Sequence, residues 1–112
     1  MKKFIVGAML AGACLTAKAE FLNGNQLYQR ITSTDMSDKF YAIGYIIGAY
    51  DMGVHVFFCP KTESGITAGQ VQDIVKQYMA DNPGLRQQSA DRMVRDALKR
   101  VWPCSNQNGT RL

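Results

Sequence analysis

Apolar residues recur every three or four positions along two segments in the second half of the chain. This spacing places them on one face of a helix, so each segment is predicted to form an amphipathic helix. The first helix should begin at Thr67, which with Gln70 fits a capping box, and the second near Ser89, with Pro103 ending it. The two apolar faces comprise Val71, Ile74, Val75, Tyr78 and Met79, then Met93, Val94, Ala97, Leu98, Val101 and Trp102.

A short helix is predicted earlier in the chain, over about Asn25–Ile31, with Asn23 or Asn25 as its cap. A polar stretch rich in capping residues, Thr32-Ser33-Thr34-Asp35, separates it from a longer apolar segment. The segment 81–84, Asp-Asn-Pro-Gly, should turn the chain between the last two helices. Together these patterns predict an all-α fold, a small bundle of about four helices.

The longer segment should be a helix that starts after Thr34 or Asp35 and runs to about Val56. It is apolar nearly all round, which is typical of a central, buried helix. Its apolar part approaches the length of a membrane span, but Asp51 and His55 interrupt it, so a buried helix is predicted instead.

Two glycines on this helix, Gly44 and Gly48, form a GxxxG pair. In a helical bundle such a pair lets a neighbouring helix pack closely against a flat face, and this is the favoured interpretation. The alternative is a homodimer face, the role that the same spacing plays in membrane helices.

The first residues indicate export. A positive start, an apolar run over residues 4–15 and the small-residue site Ala17-Lys18-Ala19 predict a secretory signal peptide, 1–19, cleaved before Glu20. A lipoprotein acylated at Cys14 is the main variant, although the preceding leucine lies one position too far upstream. The predicted organisation is a helical domain, 20–104, in the periplasm, followed by a polar flexible tail, 105–112.

Export changes how charge and cysteines are interpreted. The formal charge of +4 falls close to zero once Lys2, Lys3 and Lys18 are removed, which argues against nucleic-acid binding. Cys59 and Cys104 remain, and an even number of cysteines in a small exported chain favours a disulfide. That bond would stabilise the fold by roughly 4 kcal/mol and would tie the end of the long helix, at Pro60, to the end of the last one.

No catalytic or metal motif stands out. The chain has one histidine, and a structural zinc site would need four close ligands. His55 and Cys59 have the spacing of an activated thiolate, but the second cysteine and Pro60 favour the disulfide, and His55 is interpreted as a packed or partly exposed helix residue. We therefore expect no enzyme activity and no cofactor.

Several motifs resemble the Rap/Tai-type family of periplasmic immunity proteins. They are, in chain order, Ile43-Gly44-Tyr45-Ile46-x-Gly48, Phe58-Cys59-Pro60, Ile66-Thr67-Ala68-Gly69-Gln70, Asn82-Pro83 and Trp102-Pro103-Cys104. The resemblance covers about residues 26–104, with two departures. No residue separates Cys59 from Pro60, and a second cysteine pair of many relatives, at the end of the first helix and early in the second, is absent.

The resemblance implies a homodimeric inhibitor that protects bacteria from peptidoglycan amidases delivered by type VI secretion. Inhibition by occlusion would place the partner contacts on exposed loops. The candidates are Lys61, Glu63 and Ser64 in the first loop and Asp81, Asn82 and Arg86 in the second. Two alternatives remain open: a small periplasmic chaperone of the acid-activated type, and a phage or accessory envelope protein that uses the same fold.

Overall fold

Four α-helices make up the domain in the computed structural model, which describes residues 21–105. They are α1 (Gly24–Thr32), α2 (Met36–Gly53), α3 (Ala68–Asp81) and α4 (Ala90–Val101), with a 3-10 turn over Pro83–Leu85. Each helix contacts the other three, and no extended strand forms within residues 21–105. The predicted all-α bundle is thereby confirmed. The signal peptide, Cys14 and residues 106–112 of the predicted tail lie outside the described residues.

Side-chain caps explain the starts of α1 and α3. Asn23 Oδ1 accepts a bond from the Gln26 amide and Asn23 N–H donates to Gln26 Oε1, both at 2.9 Å, so α1 carries a complete capping box. At α3, Thr67 Oγ1 accepts from the Gln70 amide at 3.0 Å, which confirms Thr67 as the cap. Ser89 precedes α4 as predicted, without a side-chain bond.

The predicted end of the long helix is wrong. Helix α2 ends at Gly53, well before Val56 and Pro60. The amides of Val56 and Phe57 both donate to the Gly53 carbonyl oxygen, at 3.0 and 2.8 Å, and the chain turns back. This turn buries Phe58 completely against Gly53, where a Cβ would come within 2.8 Å of the Phe58 ring. The aromatic ring therefore requires glycine at position 53, and the helix has already ended seven residues before Pro60.

His55 lies in this turn, and its assignment as a helix residue is also wrong. Its backbone has φ of 65°, in the left-handed region, and its amide donates to the Phe58 carbonyl oxygen at 2.7 Å. Residues other than glycine are uncommon in this conformation, because it costs them roughly 1 kcal/mol. The imidazole is exposed.

Helix α2 is not the buried centre of the bundle. Only Ala42, Ile46 and Gly53 of α2 are buried, whereas five residues of α4 are. With five buried residues, α4 contributes more of the core than any other helix, and its apolar face forms the middle of the core. The core residues are Leu27, Ile31, Ala42, Ile46, Phe58, Val71, Val75, Met79, Ala90, Met93, Val94, Ala97 and Leu98.

Polar contacts join α1 to α2 in the region where many relatives were expected to carry a second cysteine pair. Arg30 Nη1 donates to Asp38 Oδ1 at 3.0 Å, and Ser33 Oγ donates to the other carboxylate oxygen at 2.9 Å. The Arg30 guanidinium also lies 4.1 Å from the centre of the Tyr41 ring. A partly exposed ion pair and a cation–π contact each contribute up to about 1 kcal/mol, so together they brace this helix junction.

The predicted disulfide between Cys59 and Cys104 is confirmed, with the two Cα atoms 4.7 Å apart. It joins the segment that follows α2 to the segment that follows α4, and not the two helix ends themselves. A backbone bond reinforces it, since the Cys59 amide donates to the Trp102 carbonyl oxygen at 2.7 Å. None of the helices within residues 21–105 is long and apolar enough to span a membrane.

We predict that replacing both cysteines, Cys59→Ala with Cys104→Ala, lowers the free energy of unfolding by about 4 kcal/mol, because the unfolded chain regains the entropy of an open loop. Urea unfolding followed by circular dichroism measures the change. Reducing the wild-type protein should give the same loss, and a loss below about 1 kcal/mol in both experiments would contradict the prediction.

A pair of glycine substitutions tests the packing at the start of α1. A Cβ at Gly24 would lie 2.7 Å from the Arg86 carbonyl oxygen, so Gly24→Ala should destabilise the fold by about 1–3 kcal/mol. The matched control is Gly69→Ala on α3, where a Cβ meets nothing closer than 4.0 Å. That substitution should leave stability unchanged or raise it by up to about 1 kcal/mol. Equal thermal midpoints for the two variants would refute this assignment.

Candidate functional site

The first predicted contact loop, residues 61–66, is fixed at its base. It follows directly on Cys59 and Pro60, and the disulfide and the Cys59–Trp102 backbone bond hold that end against the segment after α4. At its other end the chain enters the Thr67 cap of α3. Gly65 has φ of 86°, and the Ile66 amide donates to the Glu63 carbonyl oxygen at 3.3 Å, which closes a tight turn. Lys61, Glu63 and Ser64 are all exposed.

The side chain of Glu63 is turned towards the end of α2. Its Oε2 lies 3.2 Å from His55 Nε2, and both side chains are slightly more than half exposed, so the pair contributes little to stability. Burial raises the pKa of Tyr50, and the nearby carboxylates of Glu63 and Asp51 raise it further. Tyr50 therefore stays a neutral hydroxyl at physiological pH. This side of the loop carries negative charge.

On the other side of the loop an open cleft of about 560 Å³ separates it from the end of α4. Its apolar lining includes Ile66, Val101 and Trp102, together with Cys59 of the disulfide. Trp102 is only half-buried, and its ring meets the Tyr50 ring edge-on at 6.4 Å. The polar lining includes Lys61, Thr62, Ser64 and Gln70. Two of the predicted contact residues, Lys61 and Ser64, thus border an apolar depression.

The second predicted loop is engaged with its own chain. Asn82 Nδ2 donates to the Tyr78 carbonyl oxygen at 2.8 Å and Arg86 Nε donates to the Met79 carbonyl oxygen at 2.7 Å, so both side chains close the end of α3. The Arg86 guanidinium also stacks 4.0 Å from the Tyr28 ring centre. Asp81 is exposed and accepts a bond from Gln77 Nε2 at 2.9 Å. These contacts give Asn82 and Arg86 a structural role at the end of α3.

The structure does not bring the two loops together. One precedes α3 and the other follows it, and this helix of 14 residues separates them by about 20 Å. A single small contact patch therefore contains one loop or the other. Of the two, the first has the exposed side chains, the fixed base and the adjoining cleft.

A second candidate surface is the outer face of α2, which the sequence led us to expect inside the core. Met36, Phe40, Gly44, Gly48 and Met52 follow one another at intervals of four residues, and the large side chains among them are well exposed. A Cβ built on either glycine would meet no atom of residues 21–105 within 4 Å, so no other helix of this part of the chain packs there. The favoured prediction for this glycine pair fails within the chain, and the homodimer alternative stays a prediction.

An open groove of about 430 Å³ runs beside these glycines. Met52 and Phe57 line it from the α2 side, and Arg95 of α4 lines the opposite side, with its guanidinium 4.7 Å from the Phe57 ring centre. The signal for this face was present in the sequence as the four-residue spacing. It was obscured because the other faces of the helix are apolar as well.

Residues 21–105 offer little for catalysis. Cys59 lies in the disulfide and is not a thiolate, so the His55–Cys59 nucleophile is excluded. Within the same range no group of three or more histidine, cysteine or carboxylate side chains lies close enough to hold a metal ion. The arrangement offers surfaces for recognition: one fixed loop with a cleft, and one apolar helix face.

Comparison with known proteins gives a consistent result for the family. A search of curated proteins finds no match. The profile of the Rap1a immunity proteins, however, matches residues 23–104, a range that contains all four helices, the disulfide and the first loop. The match covers more than half of the chain, and we conclude that this protein belongs to the Rap1a immunity protein family.

Proposed function

We propose that this protein is a non-enzymatic periplasmic immunity protein that binds a peptidoglycan amidase effector and occludes its active site. Membership of the family supports an effector protein as the partner. The amidase and type VI secretion come from the resemblance of the sequence motifs, and the periplasm comes from the predicted signal peptide. The observation that carries the binding mode is the loop 61–66, whose base the disulfide holds while its side chains are exposed.

Occlusion requires a surface that keeps its shape when it meets the partner. A loop tied at both ends loses little conformational entropy on binding, which favours affinity. Lys61 and Ser64 are exposed on the cleft side of this loop. They offer a charge and a hydroxyl next to an apolar depression, the combination that suits a polar rim around a buried contact.

The test uses an amidase encoded next to this protein, purified and assayed on isolated peptidoglycan. Wild-type protein is expected to abolish hydrolysis at a stoichiometric ratio. The loop variant Lys61→Glu with Ser64→Arg should weaken binding by at least tenfold, measured by isothermal titration, since it changes both charge and size on the contact surface.

The matched control is Lys76→Glu, a charge reversal of an exposed lysine on α3. It should bind and inhibit as the wild type does. If the wild-type protein leaves amidase activity unchanged and does not protect cells that export the enzyme, the proposed function is wrong. If both variants bind equally well, the effector uses another surface.

We further propose that the protein forms a homodimer through the outer face of α2. Phe40 and Met52 are 67% and 81% exposed, and together with Gly44 and Gly48 they lie symmetrically along the helix about the level of Ile46. A two-fold axis at that level would bring the same surface of both copies together, as an isologous interface requires. The four-residue spacing favours a crossing at about −50°, and the glycines permit close approach of the two backbones.

This dimer is tested by Gly44→Gln combined with Gly48→Gln. The longer side chains should separate the two helices and shift sedimentation velocity from a dimer to a monomer. Stability of the monomer should hold or rise, because both sites are open and glycine is a poor helix former. Gly69→Gln on α3 is the control and should remain dimeric. A wild-type protein that is monomeric at about 100 μM would rule the interface out.

A further inference from the structure

The charge in the cleft beside the loop 61–66 has only one sign among the described lining residues. Of the described residues that line it, Lys61 is the only one with a charged side chain, and no carboxylate lines it. Glu63, the acidic residue of the loop, is directed to His55 on the opposite side. The basic residues in the last turn of α4 do not line the cleft, and the Arg100 guanidinium lies 5.4 Å from the centre of the Tyr78 ring, in a neighbouring depression. The cleft therefore combines an apolar lining with a single positive charge, that of Lys61.

From this combination we infer that the cleft receives a protruding segment of a protein partner in which a large apolar side chain stands next to a carboxylate. The inference rests on the proposed function in one respect, that the loop faces the partner. The apolar side chain would pack on Trp102 and Val101, and the carboxylate would pair with Lys61 at the mouth. A half-buried tryptophan ringed by polar groups is the arrangement found at the energetic centres of protein interfaces.

Size and charge both restrict the occupant. A volume of about 560 Å³ accommodates one or two large side chains with their backbone, within the range of small-ligand pockets. A whole helix, about 10 Å across, is a poor match for such a space. A basic segment would meet Lys61, and none of the lining residues within 21–105 is a carboxylate that could balance it. An apolar residue flanked by Asp or Glu satisfies both conditions.

The experiment is a selection from a displayed library of constrained seven-residue peptides on the immobilised full-length protein. We expect the enriched peptides to share a large apolar residue adjacent to Asp or Glu. Binding of a synthetic enriched peptide can be followed through the fluorescence of Trp102, because the chain has a single tryptophan. The peptide should bind the control variant Lys76→Glu with the same affinity as it binds the wild-type protein.

Reversing one charge gives the decisive comparison. A selection on Lys61→Glu should enrich Lys or Arg in place of the carboxylate, and this variant should bind the original peptide roughly tenfold more weakly. Lys61 is exposed on a loop, so the change should leave the fold intact. Trp102→Ala should abolish both the fluorescence change and peptide binding. Because this substitution also removes a contact with Tyr50, Val101→Lys is the second test of the apolar lining.

Several outcomes would overturn the inference. One is a selection whose enriched peptides share no common sequence. Another is a selection on the Lys61→Glu variant that enriches the same sequence as the selection on the wild type. A chain shortened after Ser105 that binds the peptide more than tenfold more tightly would assign the cleft to residues 106–112, and self-association abolished by Lys61→Glu would assign it to a second copy. The selection needs no amidase, so it succeeds or fails independently of amidase inhibition.

Discussion

The contact between the segment after α2 and the segment after α4 controls the arrangement of this domain. Cys59 forms a disulfide with Cys104, and its amide donates a hydrogen bond to the Trp102 carbonyl oxygen, so two segments that are distant in sequence are held together. The loop 61–66, the position of Trp102 and the cleft between them all follow from this attachment. Within residues 21–105 the core has 13 buried apolar residues, and in a domain of this size the stabilisation expected from one disulfide is a large share of the total.

The sequence predicted best where an element has one apolar face. Helices α3 and α4 have sharp stripes at helical spacing, and both were placed close to their observed bounds because period and cap agree. Helix α2 has apolar residues on all sides, so its pattern contains no information about which side faces the core. The exposure of Phe40 and Met52 depends on where α4 and α3 lie, and this is a tertiary property that no local pattern encodes.

The candidate site was predictable only in part. The disulfide followed from counting cysteines in an exported chain, and the first loop followed from the disulfide. The second loop stays a predicted contact surface, but the sequence shows its polar residues without showing the bonds that they make within the chain. Asn82 and Arg86 each donate to a carbonyl oxygen at the end of α3, a need that arises only after the helix has formed. The cleft beside Trp102 requires the three-dimensional meeting of the loop and α4 and has no signature along the chain.

The left-handed backbone at His55 limits which residues that position tolerates. Glycine would relieve the conformation, and asparagine or aspartate would accept it, whereas a β-branched residue would be strained there and would weaken the turn that places Phe58 in the core. Variation at this position should therefore be restricted by backbone geometry, even though an exposed imidazole looks freely replaceable. The residues tolerated in this turn are consequently limited by the need to keep Phe58 in the core. Because the loop 61–66 follows closely, its position depends on the same turn.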